Sequence, residues 1–576
     1  MKDRTAGYIA EQALFTTQPT YMVRFFSVKK YGDSVDYPFS VDFASRDVLS
    51  PTKDKVLIVA EMGGGPAQVF PDEGRADIGG FTILLTDLAG EALKYFSAPQ
   101  YTLNEAIGAS DTSIELAGDI SGLPAQGTII IGTGDTAERV RYSSYEVFLL
   151  EEGESDDISV ITVSERGADD TDAASHSMGA VVTNGEQIKP GTRAQVFLGY
   201  HNLVESDFMS FAKMEVFERR MTDDLAGFSV EIQDIQRTTA RDIFLNASTE
   251  APFNLSGNPL TIALQILLST GDGTNGTYDV LAKENGLGIP AVWVDVDEIE
   301  DLRDTSFSGI TMSFSITGRE SARTFLENEI YAVLNVYPLV NQTGQLTLRS
   351  HSLSSGASAL TLTHDDFTIK AWSFGDRLTI NHVVFEYGWN GTEFTETLEA
   401  EVAASIEKYG TKQAKVVSSK GLPANAASAT FLKTRADEIL ERYSDPPPVL
   451  EVEAQFRNHH VDPGDLISVT SAFLPNPSTG LRGITAEQFE LINMSVNWVS
   501  GRIGMTLLDV DAIEPATVTV TSRTFVGETV GLDEALTPHG PKTEDVALTE
   551  SLEVDVSSGP AEGVDLDENL GTELNP

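Results

Sequence analysis

Short runs of alternating apolar and polar residues, separated by turn residues, constrain this chain more than any other feature. YMVRFFSV (21–28), GFTILLTDL (80–88), GTIIIG (127–132), ISVITV (158–163), LEVEAQF (450–456) and TVTVTS (517–522) are of this kind. A side-chain period of two places successive residues on opposite faces, so each run predicts a strand with one face toward a core. Three stretches carry a helical period instead. In 258–270, Asn258 is placed as N-cap and Pro259 as first helical residue, with Leu260, Ala263, Leu264 and Leu267 on one face. In 321–337, Phe325, Leu326, Ile330 and Val333 come together. In 424–448, Leu432, Ala436, Ile439, Leu440 and Tyr443 form a stripe that Pro446 to Pro448 end. The expected fold is mainly β with a few helices (β+α), and 576 residues predict a multidomain chain.

Charge and composition exclude several functions. With 39 Lys+Arg against 87 Asp+Glu, the formal net charge is -48. Such a chain repels polyanions and does not grip DNA through a basic patch. There are 0 cysteines, which removes thiol nucleophiles, disulfides, Cys-bound zinc and iron–sulfur clusters. The opening MKDRTAGYIAEQALFTTQPTYMVRFF has no apolar core of signal-peptide type, and no apolar run reaches membrane-spanning length. The expectation is a soluble chain folded in a cytoplasm.

The search for chemistry returns no site. The eight histidines are His176, His201, His351, His364, His382, His459, His460 and His539, and none lies in an HExxH motif. A nucleophile elbow, a P-loop and a strand-linked GxGxxG are also missing. GDGTNGTYD (271–279), with Asp272 and Asp279, has the wrong spacing for a calcium loop and reads as a Gly/Asn turn. HDDF (364–367) reads as solvated acid at a strand end. In SITGRESARTF (315–325), which holds Glu320 and Arg323, Thr317 or Ser321 reads as a helix cap. Residues 457–471, RNHHVDPGDLISVTS, put His459 and His460 beside Asp462 and Asp465. On a strand, the adjacent imidazoles point to opposite faces and do not share a metal. DPGD is turn chemistry, because Pro fixes φ and Gly accepts positive φ. No catalytic, cofactor-binding or metal residues are assigned, and no cofactor is expected.

Residues 100–183 form a candidate inserted β domain. They open QYTLNEAIGASDTSIEL, continue LPAQGTIIIG and RVRYSS, and close SERGADDTDAASHSMGAVV. This pattern resembles a small β module recurrent in tailed-phage proteins. Arg166, Gly167, Thr171, Ala174, His176, Gly179 and Val181 match its ending. The frame around it resembles the baseplate-hub or tail-tip-hub family of tailed bacteriophages, over roughly residues 15 to 510. The likeness lies in GRADIGGFTILLTDLAGEALKYFSA (74–98), FERRMTDDLAGFSVEIQDIQRTTARDIF (217–244), the segment 258–290, FLENEIYAVLNVYPLVNQTGQLTLR (325–349) and VDPGDLISVTS.

The resemblance implies two tail-tube-like β-barrels. The expected domains are 1–99 with 184–248 (first barrel), 100–183 (insert), 249–375 (connecting α+β), 376–511 (second barrel with helix) and 512–576 (acidic C-terminal tail). It also implies a homotrimer that extends the tail tube at the distal end of a virion tail. The implied partners are a distal tail protein ring, the tape-measure protein, fibres or spikes and, at infection, the host envelope. DNA passes through without specific binding. The chain is expected not to be an enzyme. The alternatives are a tail-associated cell-wall hydrolase and a host-binding adhesin.

Overall fold

The computed structural model describes residues 4–12, 19–26, 40–45, 59–65, most of 68–510, and 519–524. Within 68–510 the breaks are 72, 74, 88–89, 91, 98, 135–136, 149–156, 169–170, 186, 224–225, 342, 351–356, 375–377, 477–478 and 498–500. His351, His539 and the acidic stretch from about residue 526 lie outside the described residues.

A seven-stranded antiparallel sheet runs in the order Ser40–Ala44, Pro19–Phe26, Arg193–Tyr200, Met209–Met221, Gly227–Gln233, Gly80–Thr86, Val59–Gly65. Its alternation follows the sequence: Phe81, Ile83 and Leu85 are buried, while Thr82 and Thr86 are exposed. After Gly80–Thr86 the chain leaves this sheet. It builds a closed six-strand barrel between Gln100 and Asn184, and returns at Arg193–Tyr200. Ile114, Leu116, Ile129, Ile131, Val140, Ile161 and Val182 are buried in the barrel's core. A barrel of so few strands is filled by its own side chains, and closure leaves no sheet edge open.

A six-stranded sheet has the order Leu360–Thr363, Leu466–Pro475, Arg482–Asn497, Arg502–Asp509, Val449–Gln455, Phe367–Ser373. Its two edge strands are consecutive in the chain, linked only by 364–366, where the Asp366 amide donates to the Thr363 carbonyl at 2.9 Å. So short a link brings both edges to one corner, and the sheet curls on itself. The inner faces of the seven- and six-stranded sheets share one core. Met22, Phe25, Phe43, Phe81 and Val196 come from the first, and Leu450, Val452, Phe489, Leu491 and Met494 from the second. Full burial of each such side chain stabilises by roughly 1.5–3 kcal/mol.

A second core gathers the helices. Helix Pro259–Leu268 is capped by the Asn258 side chain, which accepts from the Leu260 amide at 3.0 Å. Helix Ala426–Tyr443 buries Phe431, Leu432, Ala436, Ile439, Leu440 and Tyr443. Both pack with a four-stranded sheet, Ala414–Ser418, His382–Trp389, Phe394–Glu401, Thr519–Thr524, and with the hairpin Val336–Val340 and Leu346–Ser350.

Four expectations differ from these findings. Strands Leu360–Thr363 and Phe367–Ser373, expected in the connecting domain, belong to the sheet of 449–509. Strands between 382 and 418 and helix Ala426–Tyr443, expected in the second barrel, pack on the core of residues 235–348. Their apolar faces find partners distant in sequence, which local patterning does not encode. Thr519–Thr524, expected in the acidic tail, pairs with Phe394–Glu401. Finally, the helix expected through Tyr337 ends at Leu334. Asn335 takes the left-handed conformation (φ 56) and turns the chain into strand Val336–Val340.

Phe489→Ala, at 0% exposure in the shared core, is expected to cost about 3–5 kcal/mol by urea unfolding. Phe473→Ala, at 59% exposure, is expected to stay within about 0.5 kcal/mol of the parent chain.

Candidate functional site

Strand Val449–Gln455 ends where Phe456–Asn458 tightens into a 3-10 turn, and His459 caps that turn in the right-handed region (φ -73, ψ -2). His459 and His460 are therefore not neighbours on a strand. Both are buried, at 0% and 6% exposure, with ring centroids 6.5 Å apart. The His459 Nδ1 donates to the Phe456 carbonyl at 2.6 Å. Its Nε2 lies 2.5 Å from the Tyr8 hydroxyl, within hydrogen-bond distance. Tyr8 itself lies 5.2 Å, centroid to centroid, from Tyr200 of the seven-stranded sheet. Gln12 of the same short helix, Ala6–Gln12, donates to the Arg457 carbonyl. The helix thus ties both sheets together, and the imidazoles serve that tie.

The DPGD segment is a type II turn. The Asp465 amide donates to the Asp462 carbonyl at 3.0 Å, Pro463 is the first central residue, and Gly464 has φ 87. The Asp465 carboxylate accepts from the Asp462 amide at 2.9 Å and from Arg349 Nη1 at 3.3 Å. Gly464 donates to the Leu491 carbonyl at 2.6 Å, and a Cβ there would sit 3.0 Å from Arg349 Nη1 and Tyr337 Oη. Both conformation and space require glycine. Behind the turn, the Tyr337 hydroxyl donates to Glu490 Oε1 at 2.5 Å and Arg442 Nη2 to Glu490 Oε2 at 2.7 Å. Burial, together with Glu490, holds the Tyr337 hydroxyl well above the usual tyrosine range, so it remains a donor. A cleft of about 390 Å³ opens beside this network, lined by Glu298, Asp301, Thr305, Tyr337, Arg349 and Glu490 among others.

The second constellation lies in the inserted barrel and explains its sequence motif. Glu138, whose side chain is 0% exposed, is the shared acceptor. Arg166 Nε and Nη2 donate to it at 2.6 and 2.8 Å, the Gly167 and Ala174 amides at 3.0 and 3.1 Å, and His176 Nε2 at 2.8 Å. Thr171 Oγ1 accepts from the Arg139 amide at 3.0 Å. Gly167 adopts φ 62, and a Cβ there would meet the Ala173 nitrogen at 2.6 Å. Burial raises the Glu138 carboxyl, but Arg166, the Ala174 amide, His176 and the Gly167 amide together lower it to about 2. Sequence reasoning found the motif and missed Glu138. The available signal was an acidic residue beginning the alternating run ERVRY, at a position where its side chain faces the barrel interior.

The remaining sequence candidates hold local backbone. Asp279 accepts from the Thr270, Gly271 and Asn275 amides at 2.7, 3.2 and 3.0 Å. Asp272 accepts from the Thr274 amide at 3.0 Å. Their oxygens are thereby directed into a turn. Ser321 caps its helix by accepting from the Thr324 amide at 3.1 Å. Asp366 takes the Thr363 amide at 2.9 Å and pairs with Arg457, while His364 and Asp365 form an exposed pair at 3.4 Å. Among the described residues no three His, Asp or Glu side chains are grouped to hold a metal. Also among them, no helix is long and apolar enough to cross a membrane.

No family model and no curated protein matches this chain. Several solved structures are similar to it. The 43 kDa tail protein of prophage MuSo2 from Shewanella oneidensis is 11% identical, with 70% of this chain and 100% of that chain covered, at a TM-score of 0.33. The tail protein from Neisseria meningitidis MC58 is 12% identical, covering 72% and 94%, at a TM-score of 0.31. A chain from the virion of the native gene transfer agent particle is 13% identical, covering 85% and 91%, at a TM-score of 0.26.

Glu138 stabilises the folded barrel above the ordinary glutamate value of 4.5, and that contribution disappears as pH falls through about 2. Its full size is about 3 kcal/mol. Glu138→Gln is expected to lower barrel stability at pH 7 and to flatten its loss between pH 4.5 and 2, read by urea unfolding monitored through hydrogen exchange of residues 100–184. Arg442→Leu leaves Glu490 buried without its ion-pair partner and is expected to cost about 3–5 kcal/mol. Arg442→Leu combined with Glu490→Leu is expected to recover part of that loss in the same denaturation assay.

Proposed function

We propose that this chain is a structural hub at the distal end of the tail of a tailed phage or phage-like particle. In this reading three copies assemble around the tail axis and extend the tube. One face meets a distal tail protein ring and the end of the tape-measure protein, and the other carries fibres or spikes. The trimer opens for DNA passage.

The observation that carries the reading is the order of building in the chain. A seven-stranded antiparallel sheet is interrupted by a closed small barrel, resumes, and then shares its inner core with a curled six-stranded sheet made from the C-terminal half. The sequence resemblance to tail-tip hubs calls for two barrels with an insert in the first, and this order supports that reading. In this reading each large sheet is one tube-like element, so a trimer presents six.

The polar chemistry supports a scaffold. His459, Glu490, Glu138 and Asp465 are engaged in holding backbone segments and sheets together. A net charge of -48 suits a channel wall, since a carboxylate-rich lining repels phosphate and lets DNA slide without binding. The virion, assembled in a host cytoplasm, is the location that goes with this role.

Light scattering coupled to size exclusion tests the assembly. The purified chain is expected to elute with the mass of three chains at micromolar concentration. A species that stays a single chain up to roughly 100 μM, well above the range of stable assemblies, would count against the hub.

A further inference from the structure

Helix Val296–Ser306 is capped by Asp295, whose side chain accepts from the Glu298 amide at 3.2 Å. Glu298, Asp301 and Thr305 follow one another at i, i+3 and i+7, so they share one helical face. That face lines a cleft of about 390 Å³. Tyr337 and Arg349 of the hairpin 336–350 and Glu490 of the six-stranded sheet line it too. Pockets that hold small ligands run from about 300 to 1,000 Å³, so this one has room for a single small molecule or chain end.

The charged groups of the cleft are unequally used. Glu490 is fully engaged, since Tyr337 and Arg442 donate to its two oxygens. Arg349 stands opposite Tyr337 in the hairpin register. It gives one N–H to Asp465 at 3.3 Å, a long bond, and makes no other hydrogen bond among the described residues. A guanidinium carries five N–H donors in a planar fork, so most of its capacity is open. Its side chain is only 29% exposed, and donors left unmet at that depth cost more than at the surface. Burial works against the Arg349 charge, but Tyr337, Asp465 and Glu298 outweigh it, and the group stays cationic. Glu298 uses one oxygen to accept from Thr347 Oγ1 at 2.8 Å, and its other oxygen has no bond among the described residues. The Asp301 carboxylate is exposed and has no bond among them either. Neither carboxylate pairs with Arg349 among the described residues. Charges of both signs therefore line one cleft without satisfying one another, and the carboxylates outnumber the cation.

We propose that the cleft between helix Val296–Ser306 and the hairpin 336–350 binds a basic α-amino acid, either free or as the C-terminal residue of a peptide. The ligand's carboxylate meets the open donors of Arg349, a geometry that a planar guanidinium supports with two parallel bonds. Its side-chain ammonium lies against Glu298 and Asp301. A simple anion is repelled by Glu298, Asp301 and Glu490, and a simple cation leaves Arg349 unmet. A ligand with one negative group and an excess of positive charge answers both conditions, which is why a basic amino acid fits better than a neutral one. The site is a property of the single chain and stands or falls separately from the tail reading.

Isothermal titration calorimetry of the full chain at neutral pH and low salt tests it. L-lysine and glycyl-L-lysine carry both the carboxylate and the side-chain ammonium. L-lysinamide lacks the carboxylate, and Nα-acetyl-L-norleucine lacks the ammonium. At least one of the two lysine probes is expected to bind at one per chain with a Kd below about 1 mM. The two deficient probes are expected to bind about tenfold more weakly or worse, the loss of one charged hydrogen-bonding group. Tighter binding of L-lysine identifies a free amino acid as the ligand, and tighter binding of glycyl-L-lysine identifies a peptide end. Asp301→Asn is expected to weaken the lysine probes by about three- to tenfold. Arg349→Gln is expected to abolish the advantage of L-lysine over L-lysinamide. Lack of saturable binding by both lysine probes up to about 10 mM would overturn the proposal. So would L-lysinamide binding as tightly as L-lysine, or an Asp301→Asn chain that binds like the parent. Asp301 is exposed and the probe comparison uses the parent chain, so the test stands even where Arg349→Gln fails to fold.

Discussion

The turn at Asp462–Asp465 is the constraint on which much of this structure rests. Gly464 must take a positive φ, must donate to Leu491, and must leave space for Arg349 and Tyr337 at 3.0 Å from where its side chain would begin. A turn so constrained brings three otherwise separate pieces to one point. The six-stranded sheet supplies the turn and Glu490, the hairpin supplies Tyr337 and Arg349, and helix Ala426–Tyr443 supplies Arg442. On the far side of the same segment, His459 meets Tyr8 and through it the seven-stranded sheet. A tight polar junction of this kind fixes geometry more than it adds stability, because desolvation offsets much of what buried charges gain by pairing.

What the sequence disclosed and what it withheld follow the range of each interaction. Period-two runs such as Gly80–Thr86 and Val449–Gln455 are strands because alternation is a local property. The cap at Asn258 and the stop before Pro446 are legible for the same reason. The ending of the insert was legible as a motif, yet its purpose was not. Its Arg, Gly, Ala and His converge on Glu138, 28 to 38 residues away, and only folding shows the convergence. Sheet membership was the least legible. Leu360–Thr363 pairs in parallel with Leu466–Pro475, about a hundred residues on, and no turn signal announces such a partner. The histidines at 459 and 460 were misread because an alternating run was extended past Phe456, where a 3-10 turn takes over.

Electrostatics in this protein is local despite the large net charge. Glu138 and Asp234 are both carboxylic acids and both buried, yet the first is held near 2 and the second near 7. Glu138 has a guanidinium in two-point contact, a histidine and two amides. Asp234 has amides and a glutamine side chain, with only a distant cation. Burial costs both, and whether a cation touches the carboxylate decides the sign. The first stays charged down to about pH 2, and burial pushes the second up to about 7. The excess of surface carboxylates is a separate property, one that bears on solubility and on what the assembled protein repels.

The account holds that a chain of two large packed sheets, with its polar chemistry committed to internal junctions, works as a scaffold at the end of a tail. A cryo-electron microscopy map of the intact particle tests this most directly. It is expected to contain three copies of the chain around the axis at the distal end of the tail tube, with the two large sheets lining the channel and the 100–184 barrel projecting away from it. Density for the chain as single copies on a fibre or away from the tube, or its absence from the particle, would contradict it.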